Sequence, residues 1–230
     1  MHLSDAQHSL IERVVNAFET GSAEGDYADI SIFHDGPNNI LQITYGRSQT
    51  TEYGHLGELV AAYVNAAGLL SEDLRLYIGR IGHEPLTEDM RFRRLLVDAG
   101  REDPVMAEVQ DAFFEKTYFS PAMAWADHNG FTLPLSALVI YDSFVHSGSI
   151  LSVIRNAFAE RTPSAGGDEK AWVRGYVFAR NAWLASNVRA IVRHTTYRTA
   201  CLQHEIDRDN WDLSQVPIVA NGVSVTPSTA

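Results

Sequence analysis

Residues 30–46, ISIFHDGPNNILQITYG, hold two runs of β-branched and aromatic residues, 30–34 and 40–46, on either side of Asp35-Gly36-Pro37-Asn38-Asn39. Adjacent Asp, Gly, Pro and Asn favour a turn, because each either presets or tolerates turn backbone angles. The stretch therefore predicts a small β-hairpin. Everything around it has helical periodicity. Upstream, Leu10, Ile11, Val14, Val15 and Phe18 recur at helical spacing, so residues 3–19 form an amphipathic helix with Ser4 or Asp5 as cap and Thr20-Gly21 as its end. Downstream, helices are expected over 56–68, 71–80, 86–99, 104–128, 133–146, 149–161, 168–187 and 190–207. Pro217, Gly222 and Pro227 predict an irregular tail over 214–230, after a single bilobed domain over 1–213. The fold class is mainly α, an α+β arrangement of two helical lobes with a small hairpin sheet lining the cleft between them.

Composition excludes several classes. Hydrophobic residues make up 45% of the 230 and charged residues 20%, which supplies a core and rules out wholesale disorder. No apolar run approaches the ~20 residues of a spanning helix. No charged start leads into an apolar stretch, so no signal peptide is expected within this sequence. The net charge of −11 disfavours a nucleic-acid binder, which needs clustered cations, and favours a polycationic partner. The single cysteine, Cys201, excludes an intramolecular disulfide and a cysteine-rich metal site. Its setting predicts a buried helix position. There is no Gly-x-Ser-x-Gly elbow, no phosphate loop and no His-Glu-x-x-His pattern. No cofactor and no metal are expected.

Two carboxylates stand out. Glu19 sits in the last turn of the first helix, at the negative end of the helix dipole. That placement is poor for stability and useful for a general acid. Asp35 lies in the hairpin turn, where an aspartate commonly bonds its own backbone. Singly each is an ordinary surface acid; together they can face one another across a cleft, as glycoside hydrolysis requires of its acid and base. Thr44 follows on the second strand, where its hydroxyl could hold the attacking water. Glu52 and His55 lie at the entry to the next helix, where Thr50 or Thr51 could simply cap it. Asp142 interrupts a strongly apolar helix, so it needs a buried partner, with Arg180, Arg189, Arg193 and Arg198 as candidates. His146, one turn later on the same face, is core, ligand or substrate contact. Asp168 is expected to cap the helix that follows it.

Tyr118-Phe119-Ser120-Pro121-Ala122, then Tyr141-Asp142 with His146, resembles the central region of the family-46 chitosanases. Arg161-Thr162-Pro163, Gly166-Gly167-Asp168-Glu169, Gly175-Tyr176 and Ala179-Arg180 continue the resemblance in register, and Asn210-Trp211-Asp212-Leu213 echoes it more weakly. The resemblance implies a lysozyme-like fold and an inverting endo-glycosidase that cleaves β-1,4 bonds of an amino-sugar polymer without cofactor. It implies Glu19 as the acid, Asp35 as the base and Thr44 as the residue positioning water. It further implies substrate contacts from Tyr27, Arg47, Glu52, His55 and His146, and a buried network of Asp142, Arg180 and Arg198 that orients Asp35. The expected partner is a polysaccharide, chitosan first, met outside the cell or at its envelope by a monomer.

Two departures qualify the resemblance. The family's loop after the sheet carries an aspartate that reads the sugar amine; here that loop is Gly46 to Leu56, and the matching position is His55, with Glu52 as a possible replacement charge. Thr44-Tyr45-Gly46 also resembles a string of phage-type lysozymes, which makes peptidoglycan an alternative substrate. A catalytically inactive glycan binder is the further alternative.

Overall fold

The computed structural model describes residues 1–47 and 49–228. Ser48, inside the loop after the sheet, and Thr229 and Ala230, at the end of the tail, lie outside the described residues. In chain order the elements are α1 (Asp5–Thr20), β1 (Ile30–Phe33), β2 (Gln42–Tyr45), β3 (Thr50–Thr51), α2 (Leu56–Asn65), α3 (Ser71–Arg75), α4 (Met90–Glu102) and α5 (Pro104–Phe114). A π-helical turn over Glu115–Phe119 leads into α6 (Ser120–His128), then α7 (Pro134–Ser147), α8 (Ser152–Arg155), α9 (Glu169–Ala185), α10 (Ala190–Arg193) and α11 (Thr196–Asp207). Strands β4 (Ile218–Ala220) and β5 (Val223–Val225) close the described chain. The fold is mainly helical with a small antiparallel sheet, as the hairpin and the helical periodicity predict. No helix among the described residues is long and apolar enough to cross a membrane.

The chain forms two compact units, Met1–Ala23 with Thr117–Ala230, and Glu24–Lys116. In the first, α1 starts with a capping box between Ser4 and Gln7 and ends at Gly21, whose φ of 71° gives the left-handed cap that glycine adopts without strain. The apolar face expected from Leu10, Ile11, Val14, Val15 and Phe18 is buried, and packs with α7, α9 and α11 into one core. Helix α7 is buried all round along Pro134–Ser143 rather than on one stripe, so the polar residues it carries there, Ser136, Asp142 and Ser143, are buried as well. Asp168 caps α9 by accepting from Ala171 N at 2.7 Å, as expected. Cys201 is buried on α11, and burial, with Glu205 and Asp142 adding to it, pushes its thiol up to about 12.

The tail departs from expectation. Within residues 214–228, Ile218–Ala220 and Val223–Val225 form paired strands: Ile218, Ala220 and Val225 are fully buried, and β4 and β5 pack against α1. Asn221 and Gly222 have φ of 50° and 80°, the paired positive values of a two-residue hairpin turn. The Asn-Gly pair between apolar runs is a hairpin signal, and Pro217 and Pro227 lie just outside the paired residues. The tail also satisfies α1: Asn221 Nδ2 donates to Ala17 O at 3.1 Å, and Arg13 Nε donates to Thr226 O at 2.8 Å.

In the second unit, β2 pairs antiparallel with β1 on one side and with the two-residue β3 on the other. Ile43 and Tyr45 point from β2 into a core with α2, α4 and α5, and Tyr45 OH donates to Leu96 O at 2.7 Å. Strand alternation leaves Gln42 and Thr44 on the opposite face. Three helices are shorter than periodicity suggests: 71–80 becomes a five-residue α3, 149–161 a single turn of α8, and 190–207 breaks between α10 and α11. The 104–128 run divides at the π-helical turn.

Candidate active site

In the first unit the site is built around Asp142, which α7 holds with no exposure. Its Oδ2 accepts from Arg180 Nη1, on α9, and its Oδ1 from Arg198 Nη1, on α11, at 2.6 Å. Both guanidiniums are buried. Burial alone would raise the Asp142 carboxyl, but Arg180 and Arg198 outweigh it and hold it at about 2. Arg198 faces the opposite pull: burial disfavours its charge, and Glu19 and Asp142 more than restore it, so its affinity for the proton rises. Of the four arginines considered as partners, the fold selects Arg180 and Arg198; Arg193 donates instead to the carbonyls of Asn187 and Val188.

The network reaches outward to Glu19. Arg198 Nη2 donates to Glu19 Oε1, and its guanidinium lies 5.4 Å from the centre of the Phe18 ring. The backbone around Glu19 is also tied down: Tyr197 OH donates to Phe18 O at 2.6 Å, and Gly21 N to Ala17 O at 3.0 Å. The resemblance placed this network behind Asp35. Its hydrogen bonds within the first unit run to Glu19, the carboxylate at the end of α1, because Arg198 is the guanidinium that meets both carboxylates.

His146 lies in the last turn of α7, partly buried, with Nδ1 3.3 Å from Ser147 Oγ. Burial, then the guanidiniums of Arg198 and Arg180, push its imidazole down to about 3, with Asp142 opposing them. The unfolded chain takes up this proton near pH 6.5 and the folded chain does not. Stability from this group is therefore complete above pH 6.5 and falls as the pH drops towards 3, by roughly 5 kcal/mol in all. Asp142, depressed from its ordinary value, adds a further loss below about pH 4. The expected result is a melting temperature that declines steadily from pH 6.5 to pH 4, and a flat profile over that range would contradict a neutral His146.

In the second unit, Asp35 Oδ1 accepts from Gln42 Nε2 at 2.9 Å. Gln42 and Thr44 share the face of β2 that points away from the core, so Asp35 and Thr44 belong to one side of the sheet. The Thr44 hydroxyl is buried and has no hydrogen-bond partner among the described residues. Tyr27 and Arg47 converge on Asp111, with Tyr27 OH 2.9 Å from Oδ1 and Arg47 Nη1 donating to the same oxygen. Arg47 is buried, so it anchors this triad rather than lying open on the surface.

Glu52 is corrected. It is 1% exposed; Oε2 accepts from Ile43 N at 3.0 Å and Oε1 from Leu86 N at 2.7 Å. Burial raises its carboxyl above the usual range, and these two bonds only partly offset that. Glu52 therefore ties β2 to the chain at Leu86 and is not placed to read a sugar amine. His55 is half-buried, with Nδ1 3.3 Å from Glu58 Oε1. Sequence reasoning misses Gln42 and Asp111. Gln42 is detectable as the polar partner of Thr44 in strand alternation, whereas Asp111 on α5 carries no local signal.

Compared with known proteins, the sequence matches the profile of glycosyl hydrolase family 46 over residues 13–218. The chain belongs to this family. A Bacillus subtilis chitosanase is 26% identical over 193 residues, spanning 77% of this chain and 67% of the relative. A family-46 chitosanase from Gynuella sunshinyii, solved with chitotetraose, superposes with a TM-score of 0.83 at 22% identity, covering 99% of this chain and 100% of the other. A mutant chitosanase from Bacillus subtilis MY002, complexed with 6 GlcN, gives 0.82 at 22% identity, covering 98% and 100%. These likenesses establish the fold. As a family-46 member the chain is a glycoside hydrolase, which sets aside the inactive glycan binder. The family match begins within α1 and covers its C-terminal end with Glu19, the hairpin and the α7–α9–α11 network, which carry the expected site residues.

Proposed function

We propose that the chain hydrolyses internal β-1,4 bonds of chitosan with inversion of the anomeric carbon. The observation that carries this is Glu19 at the end of α1, held by Arg198 with buried Asp142 behind it, in a member of a family whose relatives bind glucosamine oligomers. Charge supports a polycationic substrate. Residues 24–116 hold seventeen acidic against eight basic residues, so most of the net −11 sits in the second unit. Peptidoglycan is not favoured, since the relatives reported above are chitosanases.

In this mechanism Glu19 protonates the leaving oxygen and Asp35 deprotonates the attacking water. The Thr44 hydroxyl, on the same face of the sheet as Asp35, holds that water. Gln42 orients Asp35, and Arg198 orients Glu19. Tyr27, Arg47 and His55 shape the sugar contacts of the second unit. A polymer substrate places the monomeric enzyme outside the cell or at its envelope.

The test is a paired assay on one preparation, reducing ends released from chitosan and turbidity loss of purified peptidoglycan. Cleavage of chitosan alone is expected, and cleavage of peptidoglycan alone would overturn the substrate. NMR of the first products should show the inverted anomer. A retained anomer would remove Asp35 as the base that activates water.

A further inference from the structure

Arg180 has no exposure, yet only its Nη1 is engaged, with Asp142. Its Nε and Nη2 have no acceptor among the described residues. These two N–H groups form the side-on edge of the guanidinium, the fork that matches an acceptor most closely. A buried donor pair of this kind is costly to leave unmet. The nearby carboxylates are already engaged: Asp142 Oδ2 by Arg180 itself, Asp142 Oδ1 and Glu19 Oε1 by Arg198.

The titratable groups that interact electrostatically around Asp142 are His146 from α7, Arg180 and Tyr176 from α9, Tyr197, Arg198 and Cys201 from α11, and, through Arg198, Glu19 from α1. Tyr176 OH is committed as a donor to Ser143 Oγ at 3.0 Å. His146 sits one turn beyond Asp142 on the same face and feels both guanidiniums. We propose that His146 is a positioning residue, whose ring accepts from the side-on edge of Arg180 through one bridging water. The imidazole then completes a chain from His146 through Arg180, Asp142 and Arg198 to Glu19. Burial and the two guanidiniums hold down its proton affinity, so the ring is neutral near neutral pH and can accept. The role rests on Glu19 being the acid, and it differs from a sugar contact in where its loss appears.

Two variants and one spectrum test it. His146→Leu keeps the bulk and removes the acceptor, while His146→Gln keeps an acceptor. His146→Leu should lower kcat on chitosan at least about tenfold with KM within about twofold, the signature of a displaced catalytic group rather than a lost contact. His146→Gln should recover to within about threefold of the parent. A raised KM with kcat retained, an unchanged kcat in His146→Leu, or equal loss in both variants would overturn the proposal. Loss of kcat in Tyr176→Phe with His146→Leu unaffected would give the edge to Tyr176. Histidine-selective 15N NMR of the unmodified protein decides without activity. One protonated and one hydrogen-bonded, unprotonated nitrogen down to about pH 4.5 supports the assignment, and titration near the ordinary histidine value of about 6.5 overturns it. If the parent enzyme leaves chitosan intact, the proposed function fails while the spectrum still settles the role of His146.

Discussion

Glu19→Gln should lower turnover of chitosan at least about 100-fold, the scale of losing a general acid, and leave KM within about twofold. The substitution is close to isosteric. Arg198 Nη2 donates to Glu19 Oε1, and the glutamine amide oxygen can accept the same bond. The backbone ties at Phe18 and Ala17 do not involve the side chain at all, so α1 should end as before. What is lost is the proton that the leaving oxygen needs. Asp35 and Thr44 lie in the second unit and are untouched, so binding and water activation persist. Initial rates of reducing-end release, with melting curves beside them, measure the effect. Near-normal rates would remove Glu19 from the mechanism. A large rise in KM with kcat preserved would make it a binding residue.

Features set by neighbouring residues were legible in the sequence. The first hairpin follows from Asp35 to Asn39, and α1 from its cap at Ser4 or Asp5 and its apolar stripe. Asp142 was legible as a charge in an apolar helix, because burial makes such a residue demand a partner. Which arginine answers was not, since α9 and α11 approach α7 only in the folded unit. The destination of the network was likewise hidden: nothing local to Arg198 says that it meets Glu19. Glu52 misled because its two partners, Ile43 N and Leu86 N, are backbone groups without a sequence signature. The tail misled for a different reason. Its prolines and glycine read as breakers, although Asn221-Gly222 between Ile218–Ala220 and Val223–Val225 carries the turn that makes a hairpin. The two-residue β3 was too short to leave a pattern.

Asp142→Ala should destabilise the first unit by about 3–5 kcal/mol, the range for breaking a buried ion pair from one side. The cost does not come mainly from the attraction that is lost. It comes from Arg180 and Arg198, which remain buried with a positive charge each and no carboxylate between them. Arg180 loses the only acceptor it has among the described residues, whereas Arg198 keeps Glu19. Asp142→Asn should fall between the two, because the amide retains one acceptor oxygen but cannot neutralise either guanidinium. At about 2–4 °C per kcal/mol for a chain of this size, the alanine variant should melt roughly 6–20 °C lower. Trp125, Trp172, Trp183 and Trp211, the four tryptophans of the chain, all lie in the first unit. Tryptophan fluorescence therefore reports the melting of that unit directly. An unchanged fluorescence melt would mean that Asp142 is not a buried anchor for the two arginines, and Arg198 would then hold Glu19 without support from behind.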